Sequence, residues 1–459
     1  MTTDTIRPWL GSRHQRPDGS EAHITTQFAT LGDNAADQLA LDLRSVLGGA
    51  NSIVVTHDNR TIEFAEPVLK ALKDQGFNPQ TYCFEDEADG SSPANEEANS
   101  QKLAKFLEEK QSVAAVAVGS GTINDLTKYG CALLSLPYMV FGTAASMNGY
   151  NSPIAALYVK GLKSSVPATP ALGMYADPTV IAQAPLTMHL AGLGDLCSKP
   201  FAGADAAIAS ILAGEQPWRA PMEMVHESFE RVLSYAEGIK NSDPEAIQVL
   251  MEGLWISGFS MALAGTSAPA SGGEHLWSHR IDMMRHDAAL PPMALHGTQV
   301  GIACGLVRPL FSQAAELSQA EVRQRLDGPL QEPSESEFEQ LESWLESRHS
   351  DLSQKSRAAM LKPAQLKFDC ATRRKIREQL ANNWPAIREE LLVAHQHAER
   401  VEVALQTANA PRDPVEMNLS HEESKRILTV CRDIRNRFTI LDLTAEVLGE
   451  SALVARFSF

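Results

Sequence analysis

The sequence predicts an α/β fold in two parts: a doubly wound, mainly parallel, Rossmann-like sheet over residues 23–185, and an all-α domain over residues 186–459. Short apolar runs alternate with segments of helical periodicity up to about Pro185, and strand signals vanish after it. A chain of 459 residues also exceeds one average domain. Residues 1–22 are polar and are expected to form a loose N-terminal arm.

The first part has the pattern of a parallel sheet. Five strands are predicted, at residues 24–30, 53–56, 81–84, 113–118 and 138–141. Three helices are predicted between them. The first runs from a cap at residue 33 or 34 to residue 47, and the second passes through residues 69 and 72 and stops near residue 76. The third has its cap and first turn at residues 92–93. Because strand and helix alternate, the strands should be mainly parallel.

The second part has apolar residues at helical spacing only. The periodic segments are 190–212, 224–233, 247–263 and 302–315. The charged stretch 332–349 is most economically a solvated helix face.

Composition excludes several classes of protein. A formal net charge of −17 argues against a nucleic-acid backbone as partner, because phosphate binding there needs a basic face. The six cysteines include no Cys-x-x-Cys pair, which is typical of thiols in a reducing compartment. Residues 1–19 lack the apolar core of a signal peptide, and no stretch reaches the roughly 18 apolar residues of a membrane span. We therefore expect a cytoplasmic protein that does not insert into a membrane.

A glycine-rich turn follows the apolar run 113–118, where Gly119 and Gly121 lead into a segment of helix-forming residues. A strand, such a turn and a helix N-terminus form an anion site, because backbone N–H groups can approach a pyrophosphate and the helix dipole favours its charge. The usual dinucleotide fingerprint has a third glycine where Asn124 stands. The turn alone leaves two interpretations open, phosphate binding and a plain strand-to-helix corner.

Three later segments carry side chains that bind metals: Asp195, which follows Gly-Leu-Gly, His275 and His296. One carboxylate and two imidazoles leave a coordination position open, as a Lewis-acid catalyst requires. His275 and His279 are four residues apart and share one face of a helix, although such pairs are commonly surface or core histidines. Asp195 is alternatively a helix N-cap.

Six motifs occur together in one order along the chain. They are GSGTIND at 119–125, TAASMNGY at 143–150, AGLGD at 191–195, SGGEH at 271–275, LHG at 295–297 and RNRFTILD at 435–442. On these motifs the chain resembles the sn-glycerol-1-phosphate dehydrogenase family, within the metal-dependent (iron-containing type) alcohol dehydrogenases. The resemblance begins at about residue 24 and implies a dehydroquinate synthase-like architecture.

The resemblance also implies roles for individual residues. Asp195, His275 and His296 would bind one divalent metal, usually zinc, and Asp195 and His279 would lie at the substrate. Asp58, at the end of its strand, would bind the adenosine ribose and repel a 2′-phosphate, or it is a turn residue. The residues implied to line NAD(H) or NADP(H) are Gly121, Thr122, Ile123, Asn124, Asp125, Thr143, Ala144, Ala145, Ser146 and Ser152.

The chain departs from the family pattern at Gly142 and Ala145, where the family usually has Pro, and at Asn148, where it usually has Asp. Asn148 stands in a segment that contacts substrate, so this change removes a hydrogen-bond acceptor and one negative charge. Lys163 and Lys160 are candidates to balance the charge of a substrate phosphate.

The implied reaction is the reversible reduction of dihydroxyacetone phosphate to sn-glycerol 1-phosphate by a nicotinamide hydride, a step of phospholipid metabolism. The metal would polarise the ketone, and His279, or water ordered by it, would relay the proton; alternatively His279 only orients a ligand. The alternative functions are a related polyol dehydrogenase with another small ketone, a dehydroquinate-synthase-like lyase that uses NAD and a metal, and a non-catalytic descendant. Two histidines and one aspartate suit zinc, iron or nickel, and a homodimer is the default assembly.

Overall fold

The computed structural model describes residues 4–88, 90–159 and 162–455, so the candidate Lys160 lies outside the described residues. The chain forms two compact units. Unit 1 comprises Met1–Val159, Lys163–Leu196 and Glu223–Ser267, and unit 2 comprises Lys160–Leu162, Cys197–Met222 and Ala268–Phe459. The division of binding functions at residues 185 and 186 stays a prediction.

Strands and helices alternate in the first part of the chain, and the described residues after Ala176 form helices and loops. The strands are β1 Arg13–Gln15, β2 Glu21–His23, β3 Phe28–Leu31, β4 Ser52–His57, β5 Asn78–Cys83, β6 Ala114–Gly119, β7 Tyr138–Gly142, β8 Ile154–Val159, β9 Leu162–Pro167 and β10 Gly173–Ala176. The helices are α1 Ala35–Leu47, α2 Ile62–Asp74, α3 Glu97–Glu109, α4 Gly121–Leu133, α5 Pro178–Ile181, α6 Leu186–Cys197, α7 Lys199–Ala213, α8 Ala220–Ser234, α9 Ala236–Lys240, α10 Pro244–Ala264, α11 Gly273–Asp287, α12 His296–Ala315, α13 Gln319–Leu326, α14 Glu335–Glu339, α15 Leu341–Arg348, α16 Gln354–Phe368, α17 Cys370–Thr407, α18 His421–Val430 and α19 Ile440–Leu448.

Six strands of unit 1 form one parallel sheet in the order β3-β10-β7-β6-β4-β5. In its register Thr56 lies opposite Ala117, and Gly119 lies opposite Gly142. Parallel neighbours require crossover connections, which α2 supplies between β4 and β5 and α4 between β6 and β7. The predicted fold class, a parallel α/β sheet followed by a large helical region, is confirmed.

The centre of the sheet is completely buried. All six residues of β6 are buried, and therefore its sequence is a continuous apolar run rather than an alternating one. On one face of the sheet, Ile53 and Val116 belong to the same core as Leu39 of α1 and Leu72 of α2. This packing makes the carboxyl ends of β4 and β6 rigid supports for the loops that follow them.

The third helix begins later than predicted, at Glu97 rather than at residues 92–93. The Tyr158 N–H donates to the Asn95 carbonyl (2.8 Å), and Glu96 forms a parallel bridge with Tyr158. Because pairing with β8 keeps this segment extended, the helix begins only after it. The prediction of a start at Ser92-Pro93 is wrong.

Other differences concern the bounds of predicted elements and short strands that were not predicted. The predicted strand 24–30 shortens to β3, Phe28–Leu31. The hairpins β1–β2 and β8–β9 were not predicted. Strand β10 was not predicted either; it has four residues and pairs with β3 and β7, which lie far from it in sequence. The run 190–212 divides into α6 and α7 around Ser198, since Pro200 has no N–H to continue the first helix.

Two helical stretches are long and apolar enough to span a membrane by length and composition alone, Leu186–Ala213 and Pro244–Ala264. The buried shares of their apolar windows are 67% and 89%. Helices that are apolar on all sides and enclosed by the protein are typical of a large core.

Candidate active site

The candidate residues fall into two groups. The candidate dinucleotide residues, Asp195 and Asn148 belong to unit 1, whereas His275, His279 and His296 belong to unit 2.

In unit 1, the chain connections diverge at β4 and β6. β5 lies on the far side of β4 and β7 lies on the far side of β6, so the crossovers leave in opposite directions. Such a topological switch point is where open α/β sheets bind ligands, at the carboxyl ends of the strands. Asp58 follows β4 there, and the turn Gly119–Gly121 follows β6.

The two glycines of this turn differ in what surrounds them. A Cβ on Gly119 would lie 2.7 Å from the Ile123 Cβ, so the fold itself requires glycine at 119. A Cβ on Gly121 would meet only Met147, at 3.4 Å from its Cγ. α4 begins at Gly121, and the first amides of a helix have no acceptor within it. The space at Gly121 is therefore next to N–H groups that can bind an anion.

The loop 143–146 lies beside this turn. The Thr143 N–H donates to the Gly119 carbonyl (3.2 Å), and the Ser120 and Ser146 hydroxyls are 2.5 Å apart. The buried Tyr150 hydroxyl donates to the Ala144 carbonyl at 2.6 Å. The structure thus brings together the predicted dinucleotide residues of the glycine turn and of the loop.

Predicted dinucleotide residues on α4 hold the following loop. The fully buried Lys128 ammonium donates to the Asp125 carboxylate (3.1 Å), to the Gly149 carbonyl (2.6 Å) and to the Ser152 hydroxyl (3.2 Å). Asn124 donates to the same Gly149 carbonyl at 3.3 Å. Burial lowers the pKa of Lys128, and the charge of Asp125 opposes this. Sequence reasoning missed Lys128, whose only signal was its position three residues after Asp125.

Asp58 uses one oxygen within its own turn. Its Oδ1 accepts from the N–H groups of Arg60 (3.0 Å) and Thr61 (2.9 Å) and from the Thr61 hydroxyl (2.9 Å). Its Oδ2 lies 3.9 Å from Arg60 Nη1. The turn role is therefore present, and the ribose role, which would use Oδ2, stays a prediction.

Asp195 lies inside α6 and not at a helix start, so the N-cap alternative is wrong. A Cβ on Gly192, one turn earlier, would lie 2.1 Å from the Ala145 carbonyl oxygen, so glycine lets α6 approach the 143–146 loop. Asp195 is buried, and its Oδ2 accepts from the Asn148 N–H at 3.0 Å. The Asn148 side-chain amide donates to the Ser257 hydroxyl on α10 at 3.1 Å.

In unit 2, three imidazoles form one cluster. His275 and His279 share a face of α11, as their spacing predicted, and His296 is the first residue of α12. The ring centroid of His296 lies 5.1 Å from that of His275 and 5.5 Å from that of His279. The rings of His275 and His279 are 6.1 Å apart. The cluster provides the nitrogen donors that a metal ion needs.

A buried chain of hydrogen bonds sets the tautomer of His296. Gln299 Nε2 donates to Asp282 (3.0 Å) and to the Ala294 carbonyl (3.1 Å), so Gln299 Oε1 faces Ser278 and accepts from its hydroxyl at 2.9 Å. Ser278 has a single hydrogen, and therefore its oxygen accepts from His296 Nδ1–H at 3.0 Å. Nε2 of His296 is then the unprotonated nitrogen, and an unprotonated ring nitrogen is the one that binds a metal.

Glu274 has the same effect on His275. Its Oε1 accepts from the Gly272 N–H (2.8 Å) and lies 2.8 Å from His275 Nδ1, which donates to it when Glu274 is ionised. Burial raises the pKa of Glu274 to about 7, and the hydrogen bond from Gly272 opposes this. Sequence reasoning missed Glu274 and Ser278 as hydrogen-bond partners of the histidines, although Glu274 precedes His275 and Ser278 precedes His279 in sequence.

The motif 435–442 supports the start of α11. Asp205 accepts from the N–H groups of Gly273 (2.9 Å) and Ile440 (2.7 Å), and the Arg437 guanidinium donates to the Ser271 carbonyl. Burial and the charge of Glu274 raise the pKa of Asp205 well above its usual value. The motif thereby holds the backbone from which His275 projects.

If the cluster binds Zn²⁺, replacing Ser278 by alanine should weaken that binding by about tenfold to a hundredfold, because His296 then loses the acceptor that fixes its tautomer. The dissociation constant can be measured by competition with a chromogenic chelator. Ser260→Ala is the matched control, since Ser260 is a buried helix serine whose hydroxyl bonds only within its own helix. Equal Zn²⁺ affinity in the Ser278→Ala and Ser260→Ala proteins would contradict the prediction.

Comparison with known proteins shows which family the chain resembles. The family model for iron-containing alcohol dehydrogenase matches residues 30–185. The chain is 31% identical over 307 residues to a glycerol-1-phosphate dehydrogenase (NAD(P)+) of Bacillus velezensis, covering 67% of this chain and 77% of that relative. It is 33% identical over 269 residues to the enzyme of the same name from Pyrococcus furiosus, covering 56% and 76%.

Solved structures share the fold. The archaeal Red Sea brine pool alcohol dehydrogenase ADH/D1 is 13% identical, with a TM-score of 0.57 over 95% of this chain and 100% of its own. The sulfoacetaldehyde reductase of Bifidobacterium kashiwanohense, solved with NAD+, is 14% identical, with a TM-score of 0.54 over 94% and 97%. At such low identity these structures establish the architecture alone.

Proposed function

Because the chain belongs to the glycerol-1-phosphate dehydrogenase family, within the iron-containing alcohol dehydrogenases, we propose that it interconverts dihydroxyacetone phosphate and sn-glycerol 1-phosphate with NAD(P)(H). The observation that carries the proposal is the histidine cluster of unit 2, in which buried partners leave Nε2 of both His275 and His296 as the unprotonated nitrogen. Two imidazoles prepared in this way suit a divalent metal.

The proposed metal ligands are His275, His296 and Asp195. The donor set of two neutral imidazoles and one carboxylate fits Zn²⁺, which we propose as the metal, and it also suits iron or nickel. A metal held there would supply Lewis acidity to the substrate carbonyl. Asp195 is proposed on its motif and on its burial, and its bond from the Asn148 N–H holds the carboxylate in one orientation.

The proposed cofactor site is the switch point of the sheet. The amides at the start of α4 would bind the pyrophosphate, and the loop 143–146 would line the nicotinamide half. Hydrogen bonds would hold the cofactor-facing loop in position. They join Lys128 and Gly149 to Asn124, Asp125 and Ser152. Asp58 Oδ2 would accept from the adenosine ribose.

The remaining roles concern the substrate. His279, in the histidine cluster, would relay the proton to the new hydroxyl or order water that does so. Lys163 is proposed to balance phosphate charge; its ammonium lies 4.8 Å from the centre of the Tyr158 ring. Asn148, with its fixed side-chain amide, is proposed to contact the substrate.

The function is tested by following NADH and NADPH oxidation with dihydroxyacetone phosphate, and by determining the configuration of the product. We expect stoichiometric oxidation, sn-glycerol 1-phosphate as product, and loss of activity with a chelator that Zn²⁺ restores. Oxidation with unphosphorylated dihydroxyacetone but not with its phosphate would point to another polyol dehydrogenase. No net cofactor consumption with any small ketone would overturn the proposal.

Asn148→Asp is expected to raise, by about tenfold, the ratio of kcat/KM for dihydroxyacetone phosphate to that for hydroxyacetone phosphate. The two ketones carry the same phosphate and differ by one hydroxyl, for which the new carboxylate is an acceptor. Steady-state kinetics on both ketones give the ratio, and metal content should not change. Asn241→Asp, at an exposed helix end, is the control. An unchanged ratio would mean that residue 148 does not recognise this hydroxyl.

We also propose a cytoplasmic homodimer that acts in phospholipid metabolism. Within the described residues none of the six cysteines forms a disulfide, which suits a reducing compartment. A symmetric dimer is the commonest assembly of soluble enzymes. Light scattering of the purified protein measures the assembly directly.

A further inference from the structure

An ion pair lies beside the proposed adenosine site of unit 1. Arg60, two residues after Asp58, donates through Nη1 to Asp86 Oδ1 at 2.5 Å and through Nη2 to the Gly90 carbonyl at 2.8 Å. Asn59 donates to the other oxygen of Asp86 at 3.1 Å. Asp86 follows β5, the strand next to β4. The loop that follows the neighbouring strand thus holds the Arg60 guanidinium in place.

The guanidinium is within reach of the atom that would bind ribose. Arg60 Nη1 lies 3.9 Å from Asp58 Oδ2, the oxygen not used within the turn. A ribose hydroxyl on that oxygen would place its 2′ substituent beside Arg60. A 2′-phosphate carries about two negative charges near neutral pH and pairs well with a guanidinium.

We propose that Asp86 sets the preference between NAD(H) and NADP(H) by holding Arg60 in an ion pair. While Asp86 neutralises Arg60, a 2′-phosphate would meet the carboxylates of Asp58 and Asp86 and an already paired cation, so NAD(H) is favoured. Without Asp86, Arg60 becomes a donor to the 2′-phosphate. This inference rests on the proposed function, because it assumes that the dinucleotide binds at the switch point.

The chemistry of the pair supports this role. Hydrogen bonds from Asn59 and Arg60 lower the pKa of Asp86, so its carboxylate is charged at neutral pH. The Arg60 side chain is 45% exposed, and exposed ion pairs contribute little to stability. Removing Asp86 should therefore change recognition without unfolding the sheet.

The test compares NADH and NADPH binding, measured by fluorescence, in the wild-type protein, Asp86→Asn, Arg60→Gln and the double variant. We expect Asp86→Asn to raise the NADPH-to-NADH affinity ratio about tenfold and the added Arg60→Gln to abolish the gain. Asp74→Asn is the matched control, because Asp74 forms an exposed ion pair with Lys70 on α2 and has the same charge change.

The outcomes separate two failures. Binding of both dinucleotides with a ratio that Asp86→Asn leaves unchanged would overturn this inference and leave the proposed function standing. A raised ratio that persists without Arg60 would also overturn it, since Arg60 is the proposed donor. Absence of binding of either dinucleotide to the wild-type protein would overturn the inference together with the proposed cofactor site. 5′-AMP and 2′,5′-ADP, fragments that differ only by the 2′-phosphate, should reproduce the shift.

Discussion

Replacing His296 by alanine is expected to remove most of the bound metal and to lower turnover by more than about a hundredfold, while the fold persists. His296 is the first residue of α12 and only part-buried, so truncation leaves no large cavity. Its Nε2 is the nitrogen that Ser278 prepares for a metal. His275→Ala should have the same effect, because Glu274 prepares its ring in the same way.

Metal content per chain is measured by mass spectrometry after dialysis, and the fold by circular dichroism. His286→Ala is the matched control, since His286 lies on α11, near its end, outside the cluster. Wild-type turnover by a metal-free His296→Ala protein would refute the metal-site proposal. Loss of turnover with full metal content would assign His296 a role other than ligation.

Gly121→Val is expected to weaken NAD binding by at least about a hundredfold without changing metal content. The protein leaves room for a side chain there, since a Cβ would meet only Met147 at 3.4 Å. The valine methyl groups would instead occupy the space where a pyrophosphate must approach the amides of α4. Calorimetry with NAD+ measures the affinity.

Gly49→Val controls for the substitution itself, because Gly49 lies in the same unit and a Cβ there would meet nothing within 4 Å. Unchanged NAD affinity in Gly121→Val would show that the turn is only a strand-to-helix corner. A Gly121→Val protein that loses its helical circular dichroism would instead make the glycine a requirement of the fold.

Local features of the fold could be predicted from sequence. The strand at 114–119, the glycine turn and α4 follow from a continuous apolar run, a change of period and a helix start, all within a few residues. The shared face of His275 and His279 follows from helix geometry alone. These predictions succeeded because each depends on neighbours less than about two helical turns away.

Features that join distant segments were not predictable in this way. The sequence Gly-Leu-Gly before Asp195 suggested a helix start, yet Gly192 lies in the middle of α6. Glycine is needed there because the Ala145 carbonyl occupies the place that a Cβ would take. The start of α3 was misplaced because β8, far along the chain, keeps the preceding segment extended.

By itself, the sequence determined the class of the fold, the order of its motifs and the residue types available for dinucleotide and metal chemistry. Only the tertiary structure decided which nitrogen of His296 carries hydrogen, because that depends on the chain of bonds from Asp282 through Gln299 and Ser278. It also decided that Arg60 is paired with Asp86 across neighbouring strands. Hydrogen-bond direction and ion pairing depend on distances of a few ångströms between side chains, and folding alone brings those side chains together.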